Sequence, residues 1–194
     1  MDDVDLFEPL EPGEAVGVVV ESGRGSLPFA LLHGEPLVAC AAWAVGEAGI
    51  LLLDATTAWL DVQDAGLPLV WHDALCPMVP PGFLVTCVRR ALAAGVTVAG
   101  VLPVTDTVKE VHETPDGPVV GDTLDRDRLH RLASPLVLPP GVVAAFDDWP
   151  PTDFRAALGL LREHGEVELV SGPPAAARVH DRSELGLLEA LTRR

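Results

Sequence analysis

The sequence predicts an α/β domain in which a mostly parallel, twisted sheet carries helices on both faces. The first reason is composition, because 48% of the 194 residues are apolar whereas only 5% are aromatic and tyrosine is absent. A core of Val, Leu and Ala is typical of strands covered by Ala- and Leu-rich helices. The second reason is order, since apolar runs of strand length alternate with segments of helical spacing. Such alternation favours parallel strands joined by helices.

The individual elements follow from the same patterns. Strands are predicted at 15–20, 49–54, 67–71, 96–104 and 167–170. Helices are predicted at 36–45, 82–94, about 152–164 and about 183–192. The helix over 82–94 is the clearest, because Leu84, Val88 and Leu92 recur on one face.

A hairpin arm is expected to leave the sheet over about 105–126. Short β-like runs at 108–111 and 118–120 flank the sequence Thr-Pro-Asp-Gly, which is a strong turn signal. No repeat or linker divides the rest of the chain. We therefore expect a flexible acidic tail over 1–13 and a single domain over 14–194 that includes the arm.

Charge and composition exclude several classes of protein. The formal net charge is −16, which repels nucleic acid. No stretch approaches the roughly 20 apolar residues of a membrane span, and the N-terminus is acidic where a signal peptide is basic. The three cysteines show no metal-ligand spacing and are expected to be reduced thiols. These observations favour a cytoplasmic protein that binds neither nucleic acid nor membrane.

Ligands of open parallel sheets bind beyond the carboxyl ends of the strands, and the loop after the first predicted strand lies there. It contains Ser22, Gly23, Arg24 and Gly25. Glycines allow backbone N–H groups to approach phosphate oxygens, and the arginine adds positive charge. The same residues also suit an ordinary tight turn, and both interpretations stay open.

Asp73 follows the third predicted strand and is the candidate for a metal site. A carboxylate at a strand end can hold Mg²⁺, which carries the charge of a nucleotide triphosphate. A turn or helix cap is the alternative function of this side chain.

The base of the predicted arm carries residues that suit a phosphate-bearing substrate. These are the hydroxyls of Thr105 and Thr107 together with Lys109 and Arg126. Asp106 could instead form a turn, and the lysine could be a solvated residue that protects a sheet edge.

These segments resemble a known family. The sequence HDALCPMVPPGFLVTCVRRALAAG, which runs into VTVAGVLPVTDTVKEV, is similar to the central block of the methylerythritol phosphate cytidylyltransferases. The stretch GDTLDRDRL is similar to the family's Thr-Val-Asp-Arg segment, and SELGLLEAL is similar to its final helix. The resemblance is close over about 68–131 and loose over 14–45 and 150–192.

The resemblance implies a Rossmann-like nucleotidyltransferase fold whose hairpin arm interlocks a homodimer. It also implies a reaction in which CTP and a sugar-alcohol phosphate, methylerythritol phosphate, give CDP-methylerythritol and pyrophosphate with Mg²⁺, in isoprenoid precursor synthesis. Asp73 would be the metal-side aspartate, and Thr107 and Arg126 would contact the substrate phosphate. Gly23 and Gly25 would lie in the nucleotide loop.

Several positions depart from the family pattern. Phe29 stands where the loop lysine is expected, Cys76 replaces an arginine, and Arg178 replaces the late lysine. The Gly-Gly-x-x-Arg-x-x-Ser cytidine-binding stretch is absent, and only 53–66 remains there. Arg24 and Arg178 are the candidates to compensate for lost cations. Losing one preorganised charge costs about 3–4 kcal/mol, or roughly 10²–10³ in rate.

Two hypotheses result from these departures. The first is a divergent, shortened cytidylyltransferase with weakened or lost activity. The second is a non-catalytic dimeric homologue that binds a ligand or a protein.

Overall fold

The computed structural model describes residues 7–54 and 56–193, which form an α/β domain. The strands in chain order are β1 (Val16–Val20), β2 (Leu31–Leu32), β3 (Glu35–Pro36), β4 (Leu51–Leu52), β5 (Leu69–Asp73), β6 (Thr97–Pro103), β7 (Val108–Thr114), β8 (Gly117–Leu124), β9 (His130–Leu138) and β10 (Val167–Ser171). The α-helices are α1 (Leu37–Glu47), α2 (Trp59–Ala65), α3 (Pro81–Ala94), α4 (Pro140–Val143), α5 (Phe154–His164) and α6 (Leu185–Leu191). Short 3₁₀ turns cover Leu27–Phe29, Arg126–Arg128, Pro174–Ala176 and Arg182–Glu184.

The central sheet has six strands in the order β10-β6-β9-β5-β1-β4. Neighbours pair in parallel except at β9, which is antiparallel to both β5 and β6. The mostly parallel sheet confirms the predicted fold class. The side chains on its two faces pack into two different hydrophobic cores, because alternate residues of a strand point to opposite faces. On β5, Val70 packs into the core beneath α1 and α3, whereas Leu69 and Trp71 pack into the core beneath α2, α4 and α5.

Strand β9 was not predicted, and its sequence explains why. Pro135 lies in its middle, and prolines there usually argue against a strand because they lack an N–H donor. The structure accommodates the proline at an irregularity, where the pairing of β9 with β6 shifts between Ala99 and Val101. Gly100 lies at that shift, and a Cβ on it would stand 2.7 Å from the carbonyl oxygen of Ser134. The close approach of the two backbones therefore depends on glycine.

Helix α2 was also not predicted. Strand β4 (Leu51–Leu52) is shorter than the strand predicted at 49–54. The predicted third strand ended at residue 71, whereas β5 continues to Asp73. This correction matters for function, because it makes Asp73 the last residue of a buried strand.

The predicted tail requires a correction at residues 7–13, whereas residues 1–6 lie outside the described residues. Leu10 is buried, and its N–H donates to the carbonyl oxygen of Ala48 at 2.9 Å. Phe7 packs against the core that α1 and α3 share. Residues 7–13 are thus attached to the domain, because they supply apolar side chains to its core.

The predicted arm is confirmed as a separate two-stranded sheet of β7 and β8. It turns at Pro115 and Asp116, and Gly117 follows with a φ of +115°. Most of its side chains are exposed, including three valines, Val111, Val119 and Val120. Among the described residues, no helix has the length and apolar character needed to cross a membrane.

We predict that Gly49→Ala destabilises the domain strongly. Gly49 has a φ of +79°, and an added Cβ would lie 2.1 Å from the carbonyl oxygen of Leu10. Backbone strain of this kind costs about 1–3 kcal/mol before the clash is counted. The measurement is the free energy of unfolding from urea denaturation.

Gly46→Ala is the matched control, because a Cβ at this helical position would meet no atom within 4 Å. Replacing a helical glycine by alanine is expected to leave stability unchanged or to raise it by up to about 1 kcal/mol. Equal effects of the two substitutions would contradict the prediction.

Candidate functional site

The candidate site forms around Asp73 at the carboxyl edge of the sheet. In the parallel pairing of β1 with β5, Val20 lies opposite Asp73. The loop that follows β1 therefore starts beside this aspartate. As a result, Arg24 reaches Asp73 although the two residues are 49 positions apart.

Arg24 holds the Asp73 carboxylate through a two-point contact. Its Nε donates to Oδ1 at 2.9 Å and its Nη2 to Oδ2 at 3.2 Å. The remaining donors bind main chain, since Nη1 reaches the Ser22 oxygen at 3.0 Å and Nη2 the Thr152 oxygen at 2.7 Å. The guanidinium carbon also lies 5.7 Å from the ring centroid of Phe154. The side chain is only 6% exposed, so Arg24 is a fixed part of the protein interior.

Arg178 binds the same carboxylate from the other side. Its Nε donates to Oδ2 of Asp73 at 3.1 Å. It follows the 3₁₀ turn Pro174–Ala176, and its neighbour Val179 donates its N–H to the carbonyl oxygen of Leu75 at 2.8 Å. This backbone bond joins the segment after β10 to the segment after β5. The Arg178 side chain is 30% exposed and so stays accessible from solvent.

The donor set around Asp73 does not fit a divalent cation. Oδ1 accepts from Arg24 and from the N–H of Leu75 at 3.0 Å, and Oδ2 accepts from Arg24 and Arg178. A carboxylate offers about four lone-pair sites, and these four bonds occupy them. Elsewhere in the described ranges, no group of three His, Cys, Asp or Glu residues could hold a metal ion. The prediction that Asp73 holds Mg²⁺ is therefore not supported by the residues present.

The glycines of the loop after β1 have backbone conformations that side chains rarely adopt. Gly23 has a φ of +77° and Gly25 a φ of +59°. A Cβ at Gly25 would meet no atom within 4 Å, so conformation and not space requires glycine there. The Ser22 carbonyl of the same loop faces Arg24. A nucleotide-binding role for Ser22, Gly23 and Gly25 stays a prediction.

The arm residues gather at the base of the hairpin. Arg126 Nη1 donates to the carbonyl oxygen of Thr105 at 2.7 Å, and Lys109 Nζ donates to Thr123 Oγ1. Thr107 is exposed. Arg126 and Lys109 thus bond to Thr105 and Thr123 and not to the Asp73 cluster.

Thr105 and Arg178 meet at a cavity of about 340 Å³. Its other polar lining residues are Arg131, His180 and Glu184. Arg131 and His180 were not predicted as site residues. Arg131 belongs to β9, the strand that the sequence did not reveal, and His180 carries no motif. A larger cavity of about 790 Å³ lies between α1 and the segment 77–81 and contains none of the predicted site residues.

A buried histidine is connected to Asp73 through the hydroxyl of Ser134. The Asp73 N–H donates to Ser134 Oγ at 3.0 Å, and this oxygen lies 2.6 Å from His72 Nδ1. Burial lowers the pKa of His72 to about 4, although the nearby Asp73 carboxylate opposes the shift. His72 is therefore neutral near pH 7, and its Nε2 has no hydrogen-bond partner in the described structure.

Comparison with known proteins finds similar sequences and similar folds. No family model matches the chain. A curated relative from Corynebacterium glutamicum, 2-C-methyl-D-erythritol 4-phosphate cytidylyltransferase, is 35% identical over 84% of this chain and 62% of its own length. The same enzyme from Saccharopolyspora erythraea is 36% identical over 67% of this chain and 57% of its own length. The chain is thus similar in sequence to these cytidylyltransferases over most of its own length. It spans less than two thirds of the length of these relatives.

Solved structures of cytidylyltransferases share the fold. The enzyme from Thermus thermophilus superimposes with a TM-score of 0.65 at 18% identity, over 93% of this chain and 100% of that one. The 4-diphosphocytidyl-2C-methyl-D-erythritol synthase from Anaerococcus prevotii gives 0.63 at 16% identity, over 94% of this chain and 100% of that one. At these identities the likeness establishes the fold alone.

Two positions where the cytidylyltransferase pattern expects a cation carry uncharged side chains, Phe29 and Cys76. Phe29, at the expected lysine position, is 59% exposed and carries no charge. Cys76, at the expected arginine position, is fully buried, and burial raises the pKa of its thiol so that it stays neutral. The region of the missing cytidine-binding stretch contains α2, whose Trp59 Nε1 donates to the carbonyl oxygen of Phe146 at 2.8 Å. Trp59 of that region therefore packs into the core.

We predict that Arg24→Met destabilises the domain more than Arg178→Met. Removing the buried partner of a buried charge costs about 3–5 kcal/mol, since Asp73 then loses two bonds. Arg178 is partly exposed and contributes one bond, so its loss should cost about 1–3 kcal/mol. Urea denaturation of both variants measures the difference, and equal losses would contradict it.

Protonation of His72 should make the protein less stable at acid pH. In the unfolded chain His72 takes up a proton near pH 6.5, whereas in the folded protein it does so only near pH 4. Above pH 6.5 His72 is neutral in both states and its lowered pKa does not affect stability, whereas about 3 kcal/mol of stability is lost as pH falls from 6.5 towards 4.

The test compares the pH dependence of unfolding of wild type and His72→Asn between these limits. The other five histidines are common to both proteins, so the difference curve reports His72. An unchanged slope in the variant would contradict the assignment.

Proposed function

We propose that this chain binds a phosphate-bearing small molecule at the Asp73 edge, in a site of the 2-C-methyl-D-erythritol 4-phosphate cytidylyltransferase type. The reaction of that type joins CTP and methylerythritol phosphate into CDP-methylerythritol and pyrophosphate, and we propose that this chain performs it weakly or not at all. The observation that carries the proposal is the placement of Arg178, held by Asp73, at the 340 Å³ cavity. Guanidinium groups are suited to phosphate because they offer two parallel donors.

The chemistry of the proposed reaction defines what the site must supply. A phosphate oxygen of methylerythritol phosphate attacks the α-phosphorus of CTP, a P–O bond forms, and the bond to the bridging oxygen of pyrophosphate breaks. Negative charge grows on the leaving pyrophosphate and needs preorganised cations. Arg178 is in a position to supply one of them. Arg24 is not, since its donors are already bonded inside the protein.

Weak turnover follows from the missing groups. Phe29 and Cys76 supply no charge where the family pattern expects cations, and each such loss is worth roughly 10²–10³ in rate. The region at the expected cytidine site is occupied by the packed helix α2. Mg²⁺ was expected as a cofactor, but the Asp73 donor set offers it no free carboxylate oxygen. A net charge of −16 further disfavours a nucleotide triphosphate.

A second candidate function is a non-catalytic homodimer that acts through its arm. Val111, Val119 and Val120 are each more than half exposed on β7 and β8. An arm with exposed valines on both strands suits a second copy of the chain, because a two-fold interface pairs the same patch with itself. The unpaired thiols of Cys40, Cys76 and Cys87 agree with the cytoplasmic location that the sequence suggests.

The binding experiment titrates CTP and methylerythritol phosphate separately into the protein by calorimetry, and a pyrophosphate-release assay follows turnover. We expect methylerythritol phosphate to bind and Arg178→Met to weaken it about tenfold or more, which is the loss of one charge-assisted bond. We also expect turnover at least about 100-fold below that of the Thermus thermophilus enzyme. Failure of both compounds to bind would overturn the proposed ligand.

The dimer proposal is tested by light scattering of Val120→Glu. This valine is 68% exposed, so glutamate is expected to leave the monomer fold intact and to weaken a dimer that buries it. Leu60→Glu is the control, because Leu60 is 64% exposed on α2 instead of on the arm. A wild-type monomer at micromolar concentration, or equal effects of both variants, would contradict a dimer through the arm.

A further inference from the structure

We propose that this chain binds its phosphate ligand without a divalent cation, and that Asp73 acts as the positioning residue of Arg178 instead of as a metal ligand. The inference rests on the proposed function, since it concerns the same site. It deepens that function by defining the ligand as a small, metal-free phosphate monoester.

The first step is the geometry of the carboxylate. Both oxygens of Asp73 already accept two bonds each, from Arg24, Arg178 and the N–H of Leu75. A cation could coordinate Asp73 only after an arginine had left. Arg24 is 6% exposed and makes four bonds in total, two of them to main-chain oxygens. Its departure would break these four bonds and leave the Ser22 and Thr152 oxygens without this donor, which is unfavourable.

The second step is charge. Asp73, Arg24 and Arg178 together carry one net positive charge, because two guanidiniums oppose one carboxylate. Two positive groups within hydrogen-bond distance of the carboxylate repel Mg²⁺ but attract an anion. A site of this kind replaces the metal with fixed guanidinium charge.

The third step is the orientation of Arg178. Its Nε is bound to Asp73, whereas neither of its Nη groups donates a hydrogen bond to a residue in the part of the chain that the structure describes. The bond through Nε limits how the guanidinium plane can turn, so the free donors are preorganised. Arg131 lines the same cavity and forms no ion pair within residues 7–54 and 56–193. His180, by contrast, lies 3.2 Å from a Glu184 carboxylate oxygen. Two arginines thus line the same cavity.

The fourth step is size. A cavity of about 340 Å³ is at the small end of the range for ligand sites, which is roughly 300–1,000 Å³. This volume favours a small sugar-alcohol phosphate over a metal-bound nucleotide triphosphate.

The experiment titrates glycerol 3-phosphate into the full chain by calorimetry, once in EDTA and once in excess Mg²⁺. We expect the two dissociation constants to agree within about twofold, and a separate titration with Mn²⁺ alone to show no saturable binding. An affinity that rises about tenfold or more with Mg²⁺, or saturable Mn²⁺ binding, would overturn the inference while leaving the proposed ligand class in place. No binding in either condition would overturn both.

Substitutions then separate charge from orientation. Arg178→Gln is expected to lower the affinity for glycerol 3-phosphate about tenfold to a hundredfold. Arg178→Lys keeps the charge but has no planar fork that can bind Asp73 and phosphate together, so it should lose about as much. Full affinity in Arg178→Lys would overturn the positioning role of Asp73. Arg162→Gln, an exposed arginine on α5, is the matched control and should bind like wild type.

Discussion

The interaction on which the rest of the site depends is the pairing of one buried carboxylate with two guanidiniums. Asp73 ends β5, Arg24 lies in the loop after β1, and Arg178 lies beyond β10. The cluster therefore joins three segments that are far apart in the chain. Because ion pairs of this kind are sensitive to the loss of a member, the loop after β1 and the segment after β10 are held in place together. The bond from Arg24 to the Thr152 oxygen adds the start of α5 to this unit.

The cluster lies outside the hydrophobic cores that hold the fold together. The core beneath α1 and α3 and the core beneath α2, α4 and α5 are formed by apolar residues, and Asp73, Arg24 and Arg178 belong to neither. Stability comes mostly from those cores, so the site is free to diverge. Arginine at position 178 keeps a charge where the family pattern expects lysine, but it adds a planar group that can bind a carboxylate and an anion at once. In the metal-free site that we propose, one arrangement of Arg178 on Asp73 both occupies the carboxylate and presents donors to an anion.

The sequence was sufficient for the parts of the fold that local patterns encode. Helix α3, the parallel strands and the arm follow from periodicity and from a Pro-Asp-Gly turn. Strand β9 could not be predicted because Pro135 resembles a break, and only the shift beside Gly100 makes room for it. The bonds of the Asp73 cluster were not predicted. Arg24, Asp73 and Arg178 were all candidates, yet nothing local indicates that partners 49 and 105 positions apart bind one carboxylate.

The position of β9 has a consequence for how the arm can evolve. β6 and β9 are antiparallel neighbours whose pairing ends at Pro103 and His130. The arm therefore lies within the connection between the two strands of one hairpin. A connection of this kind is a modular insertion, because its length does not alter the path of any other strand. Lineages can lengthen it, shorten it or remodel its surface without rerouting the sheet. At the same time its two stems run into the centre of the sheet, beside the strand that ends in Asp73. A protein that remodelled its arm to suit a new partner would do so next to the pocket, with the scaffold untouched.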